Sequence, residues 1–248
     1  SAKGEETEGF LHQLFFHQPN KGGFQTLIDA YKKLNLSKNN QVFTGIEVKE
    51  ITRVEDSWIV KTNHGEFKAN TLINTAPIHE FSKYFNLPED IGLALNDLKF
   101  NSIYIVMIQV NNDNLGDNFA LYVPNKETIF HRLSKLDFLG KNYNLSDRTT
   151  LMAEVTFRPG SYIASLSKED ITNEVINGLV SEGLIDNKDN VLDTQIKYEK
   201  YAYVIYDLNH RKNTDKVLNF FYKNKIYNLG RFAQFEYLNT DGVVKNAL

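Results

Sequence analysis

Cysteine is absent from the 248 residues, which excludes disulfides, zinc–thiolate sites and cysteine nucleophiles and fits a cytoplasmic enzyme. No apolar run approaches the length that spans a bilayer, and the polar start Ser1-Ala2-Lys3-Gly4-Glu5-Glu6 is unlike a signal peptide. A basic excess is missing too: the net charge is −3, the pI is near 6.1 and the lysines are scattered, which argues against a nucleic-acid partner. No Ser/His/Asp set, metal cluster or paired-carboxylate constellation stands out. What is present is ordinary globular composition, 42% hydrophobic and 24% charged, enough for a sizeable core in one large domain or two small ones. The Ser1-Ala2 opening reads as a cloning scar, so the chain is expected to be cut from something longer.

In chain order, Phe10, Leu11, Leu14, Phe15 and Phe16 form an apolar cluster ending at Pro19. His12 and His17 within it are five apart and share no helix face, so they read as packing residues rather than a metal pair. Two glycines, Gly22-Gly23, open an amphipathic helix marked by Phe24, Leu27, Ile28, Tyr31 and Leu34. From Val42 the period becomes two, and turn signals at Glu55-Asp56 and Asn63-His64-Gly65 predict a β-meander that ends in a buried strand at Leu72-Ile73, stopped by Pro77. A helix over 78–84 should expose His79. The most apolar strand, 102–110, belongs in the middle of a sheet, with further strands at 119–124, 128–133, 150–157 and 191–200. Ser167 and Asp170 cap a helix that Gly183 ends, and a last long helix is expected over 214–222.

Arg132 is singled out because a guanidinium on a sheet facing a cleft binds carboxylate or phosphate in bidentate fashion. The competing reading is an arginine paired with Glu154 or Asp137. His131 beside it should point to the opposite face. At the C-terminus, a short strand at Ile226, a turn at Gly230-Arg231 and a cap at Asn239-Thr240-Asp241-Gly242 together present backbone N–H groups to an anion, or else simply close a domain.

Gly22-Gly23-Phe24-Gln25-Thr26-Leu27-Ile28, Gly45-Ile46-Glu47-Val48-Lys49-Glu50-Ile51, His64-Gly65-Glu66 and Leu72-Ile73-Asn74-Thr75-Ala76-Pro77 resemble the flavin amine oxidase superfamily. Within it the resemblance is to protoporphyrinogen-oxidase-like proteins and UDP-galactopyranose mutases. The segment Tyr201-Ala202-Tyr203-Val204-Ile205-Tyr206 is also similar, with Val204 where the family commonly has proline. The resemblance implies FAD as cofactor. Val48 would lie on its adenine side, Thr75, Ala76 and Pro77 would approach it through backbone atoms, and Gly230, Arg231, Asn239, Asp241, Gly242 and Val243 would meet the pyrophosphate and flavin. Arg132, Tyr203, Tyr206 and Tyr237 would face a small-molecule substrate, and no metal is implied.

None of the 14 glycines forms the Gly-x-Gly-x-x-Gly loop that supplies most pyrophosphate contacts. The chain alone is therefore expected to hold FAD weakly or not at all, its N-terminal FAD domain missing. The expected fold is mixed α+β: a central, largely antiparallel substrate-domain sheet flanked by helices, with the remnant of an FAD-binding layer. The expected division is a lead segment 1–19, a helix and meander on the cofactor side at 20–85, a substrate domain at 86–224, and a cofactor-binding strand and helix start at 225–248. The resemblance implies the substrate-domain fragment of an FAD-dependent oxidoreductase. The alternatives are a UDP-galactopyranose mutase-like enzyme of polysaccharide or lipopolysaccharide biosynthesis, and a non-catalytic binding domain that has lost the cofactor.

Overall fold

The computed structural model describes residues 17–145 and 147–248, and the apolar lead cluster with His12 lies outside them. In order the elements are α1 (Gln25–Ser37), β1 (Val48–Val54), β2 (Ser57–Thr62), β3 (Gly65–Ala69), β4 (Leu72–Asn74), α2 (Ile78–Phe81) continued by a 3-10 turn, α3 (Glu89–Asn96) and β5 (Phe100–Val110). They continue with β6 (Ala120–Tyr122), β7 (Arg132–Lys135), β8 (Thr149–Phe157), α4 (Tyr162–Ser165), α5 (Lys168–Ser181), β9 (Val191–Val204), α6 (His210–Lys223), β10 (Ile226–Asn228) and α7 (Thr240–Ala247).

The strands form three sheets: an antiparallel meander β1-β2-β3, a parallel pair β10-β4, and an antiparallel sheet in the order β6-β7-β8-β5-β9. The expected α+β architecture is what is observed. The apolar run of β5 is central because both of its edges are paired, Val106 lying between Ala153 of β8 and Ile196 of β9. Its alternate residues Val106, Ile108 and Val110 are fully buried and share a core with Ile171, Val175 and Leu179, spaced by four along α5. The cap of α5 is reciprocal: the Asp170 N–H donates to Ser167 Oγ, and the Ser167 N–H donates to the Asp170 carboxylate. Gly178 is the close-approach point of this helix, since an added Cβ would stand 2.9 Å from the Phe130 ring.

A second core joins Ile51 and Trp58 of the meander to Phe81, Leu95, Phe221 and Ile226. It packs α3 and α6 beneath the parallel pair, so the strand ends of β4 and β10 stand on a rigid base.

Several elements differ from the sequence reading. Residues 41–47 form no strand, and β1 begins at Val48. The segment 128–130 is not paired as a strand, the Thr128 hydroxyl being bound instead to the Glu182 carboxylate (2.6 Å) at the end of α5; His131 is backbone-bonded to Val123 and Glu154, and β7 proper starts at Arg132. Ile73 is 61% exposed rather than buried, since β4 turns Asn74 inward in its place. His79 is half-buried, its ring lying between Phe100, Tyr201 and Phe235. The stripe of α1 enters no core among the described residues: Phe24, Ile28, Tyr31 and Leu34 are exposed, Leu27 is half-buried, and no residue of this helix is buried. β9 runs to Val204 and α6 starts at His210, both longer than their periodicity indicated.

Candidate functional site

β4 and β10 end side by side, each on an asparagine, with Asn228 opposite Asn74. Asn74 is 4% exposed and every polar atom of its side chain is used. Its Nδ2 donates to Asn228 Oδ1 (2.8 Å) and to the Ala76 carbonyl (3.1 Å), and its Oδ1 accepts from the Ala76 N–H (2.9 Å). This asparagine turn holds Thr75 and Ala76 exposed beyond the strand end, before Pro77 opens α2. On the neighbouring strand the chain turns at Gly230, whose φ of +96° disfavours any residue with a Cβ. The Gly230 N–H donates to Gln234 Oε1 (3.1 Å), and the Ile78 N–H to the Phe232 carbonyl (3.1 Å). The carboxyl ends of two parallel strands thus open onto one crevice, the position where ligands bind open α/β sheets.

α7 folds back against this crevice, with a Val243 methyl 4.0 Å from where a Gly230 Cβ would stand. Its N-cap, Asn239, makes no side-chain cap bond, Asp241 lies exposed in the first turn and Gly242 is half-buried. The first-turn N–H groups have no intrahelical partner, as at any helix start.

Next to the crevice lies a polar cluster at one end of the five-stranded sheet. Arg132 and Glu154 face each other across β7 and β8, and Arg132 Nη1 donates to Glu154 Oε1 (2.9 Å). Tyr203 of β9 donates its hydroxyl to the other oxygen of the carboxylate (2.8 Å). Burial, reinforced by this bond to Glu154, raises the Tyr203 hydroxyl above the ordinary tyrosine range. His131 joins the same cluster, with Nε2 3.9 Å from Glu154, because its N–H bonds the Glu154 carbonyl while Arg132 is the register partner of Glu154, so the bend sets both residues against one and breaks the alternation.

Arg231 connects the two regions. Its Nη2 donates to the Ala202 carbonyl (2.8 Å) and its Nη1 to the Leu238 carbonyl (3.4 Å). The guanidinium lies 4.0 Å from the centre of the Tyr237 ring and 5.5 Å from that of Tyr203, and these two rings are themselves stacked. Its Nε is buried without a hydrogen-bond partner. No carboxylate pairs with Arg231 among the described residues, whereas Arg132 has Glu154. Tyr206 accepts the Tyr237 N–H on its hydroxyl (2.6 Å) and packs on His210, whose Nε2–H donates to the Phe235 carbonyl (2.9 Å).

Of the residues grouped with a cofactor in the sequence reading, Thr75, Ala76, Pro77 and Gly230 follow the ends of β4 and β10, and Asn239, Asp241, Gly242 and Val243 stand at the start of α7. Arg231 stands with the substrate group instead, against Tyr203 and Tyr237. Val48 is apart from both, in the three-stranded sheet, where its carbonyl accepts the Tyr84 hydroxyl (3.1 Å). Arg132, Tyr203 and Tyr237 come together, and Tyr206 supports the backbone of Tyr237. Asn74 was missed as the organiser of the crevice although it lies inside the quoted Leu72 to Pro77 motif. Among the described residues no group of three His, Asp or Glu side chains could hold a metal, and no helix is long and apolar enough to cross a membrane.

No family model matches the chain, and no curated protein matches it by sequence. Solved structures do match by fold. A reduced UDP-galactopyranose mutase superposes with a TM-score of 0.76 at 18% identity, covering 89% of this chain and 47% of that one. A protein of Exiguobacterium proposed to be a protoporphyrinogen oxidase gives 0.66 at 18% identity, over 84% and 46% of the two chains. Putrescine oxidase bound to putrescine gives 0.64 at 16% identity, over 90% and 51%. The resemblance drawn from the sequence motifs therefore holds at the level of the fold. The chain spans about half the length of the structures it matches.

Proposed function

We propose that the chain is the substrate-binding half of an FAD-dependent enzyme acting on an anionic small molecule, with a sugar nucleotide as the substrate class. The observation that carries this reading is Arg231. Its charge has no carboxylate counterpart among the described residues, it lies on two tyrosine rings, and it stands where the strand-end crevice meets the polar cluster. A phosphate there would supply the missing negative charge in a partly desolvated setting, where charge-assisted hydrogen bonds are strongest. Arg132 has a different part. Neutralised by Glu154, it fixes the wall of the pocket and, through the same carboxylate, the orientation of the Tyr203 hydroxyl.

The residues at the crevice fit one side of FAD. The uncapped start of α7 offers N–H groups to a phosphate-bearing group, and the exposed backbone at Thr75 and Ala76 and the left-handed turn at Gly230, their own Ala76 and Gly230 N–H groups already bound to Asn74 and Gln234, leave room beside it. Flavin, when bound, supplies redox or covalent chemistry, so this chain need contribute no acid or base of its own. The remaining contacts would come from a segment carrying the glycine-rich loop that these 248 residues lack, and the half-length match to the solved structures supports such a companion. A sugar-nucleotide reaction would place the protein in cytoplasmic polysaccharide or lipopolysaccharide assembly.

An oxidase acting on a reduced ring system is the second reading, favoured by the stacked Tyr203 and Tyr237 faces. An amine substrate fits less well, because an uncompensated guanidinium repels a cation.

The test is the natural gene product at its full length. The proposal expects a yellow protein with flavin absorbance that binds UDP. Arg231→Ala should weaken UDP binding about 10- to 100-fold, the loss of one charge-assisted contact. A yellow protein indifferent to UDP favours the oxidase. A colourless full-length protein leaves only the non-catalytic binding domain.

A further inference from the structure

β9 is the outermost strand of the five-stranded sheet, and its 14 residues make it the longest strand described. One edge pairs with β5, and the other pairs with no strand among the described residues. Residues 192–195 and 197–200 are exposed, including two large apolar side chains, Leu192 (46%) and Tyr198 (44%). A long open edge of this kind is a template for strand addition, and proteins usually blunt it with charge. The charges here are of both signs, and Asp193 and Lys197 form no ion pair within the described chain, unlike Lys200, which is held by Glu80.

We propose that this edge pairs antiparallel with β9 of a second copy of the chain, joining two five-stranded sheets into one. Two identical strands related by a twofold axis perpendicular to the sheet must be centred on a residue, because facing side chains must lie on the same surface. Centring on Gln195 sets Asp193 opposite Lys197, a pair occurring twice, and brings Tyr198 towards the bulge at Leu192. Centring on Ile196 opposes Asp193 to Glu199, and centring on Lys197 or Glu199 opposes like charges to themselves. Centring on Tyr198 pairs Lys197 with Glu199 but reaches Ala202, whose carbonyl already accepts from Arg231. The Gln195 register keeps within 191–199, brings the exposed Leu192 and Tyr198 of the two copies near each other at its ends, pairs Asp193 with Lys197, and leaves Glu199 opposite an uncharged residue. Leu192 also borders the open groove between β9 and α5, beside Ile176 and Ile196, so the partner's Tyr198 would close the mouth of that groove.

Sedimentation velocity on the 248-residue chain over a concentration series tests this. The wild type should dimerise. Asp193→Lys and Lys197→Glu should each weaken the dimer about 10- to 100-fold, because both copies of the cross-strand pair become repulsive. The double variant Asp193→Lys/Lys197→Glu restores opposite charges and should recover it, whereas Glu199→Lys should leave it intact. Circular dichroism should show all four variants folded, since the sites are exposed. A wild type that stays monomeric throughout overturns the proposal. So do single reversals without effect, a double variant no better than the singles, or a dimer broken by Glu199→Lys.

Discussion

At the scale of single residues, the site is governed by which charges are already satisfied. Glu154 is 6% exposed and carries two partners, so replacing its carboxylate leaves Arg132 with a half-buried, unpaired charge. Glu154→Gln should cost about 2–4 kcal/mol in urea unfolding, somewhat below the ~3–5 kcal/mol of a fully buried pair because Arg132 is only half-buried. Adding Arg132→Met should recover part of the loss, since two apolar or neutral groups need no mutual compensation. A double variant as unstable as the single would mean that Tyr203, not the ion pair, carries the cost. The pairing of Arg132 with Glu154 was legible in the sequence as an alternative to anion binding, because both residues lie in apolar, strand-like stretches. The placement of Arg231 was not, because only the path of the chain over the end of the sheet sets its guanidinium on Tyr203 and Tyr237. His131 was misread because strand alternation assumes an unbroken register, and here His131 and Arg132 both face Glu154.

At the scale of elements, periodicity found what packing enforces. β5, β8 and α5 were legible because each buries a regular face in one core. α1 shows the limit of the same signal, since an apolar stripe predicts a helix but not what covers it, and here the stripe is exposed. The end of β9 was missed because its last residues, Tyr201 to Val204, are all half-buried or buried and so carry no alternation to mark them as strand. Two helical glycines separate backbone propensity from packing. At Gly92 in α3 an added methyl would meet no atom within 4 Å, so Gly92→Ala should stabilise by up to about 1 kcal/mol through helix propensity. At Gly178 the same methyl meets the Phe130 ring at 2.9 Å and Thr128 at 3.1 Å. Gly178→Ala should therefore destabilise by about 1–3 kcal/mol despite the better helix former. Thermal melts of the two variants should move in opposite directions, and a shared sign would show that the α5 contact yields easily.

At the scale of the whole molecule, two cores meet at one polar and aromatic seam, and that seam should set the response to acid. His79 and Glu80, from α2 beneath the strand-end crevice, face Phe100, Tyr201 and Lys200 of the five-stranded sheet. Burial lowers His79 below its ordinary value of 6.5, partly offset by the nearby carbonyls of Leu98 and Leu95. Bonds from Lys200, Lys83 and the Tyr201 hydroxyl bring Glu80 from 4.5 down to about 2. Both groups are thus less protonated in the folded protein than in the unfolded one, so each contributes stability at high pH that is lost as pH falls. For His79 the loss begins near pH 6.5; for Glu80 it runs from about 4.5 towards 2. The second step should be small, about 1 kcal/mol or less, because Glu80 and Lys200 are partly solvated. Denaturant titrations at a series of pH values should show the two windows separately. His79→Phe should flatten the upper window while keeping the ring contacts, and Glu80→Gln should flatten the lower one. If His79→Phe leaves the slope between pH 5 and 7 unchanged, the upper window belongs to another group, and the seam is held by aromatic packing that acid does not reach.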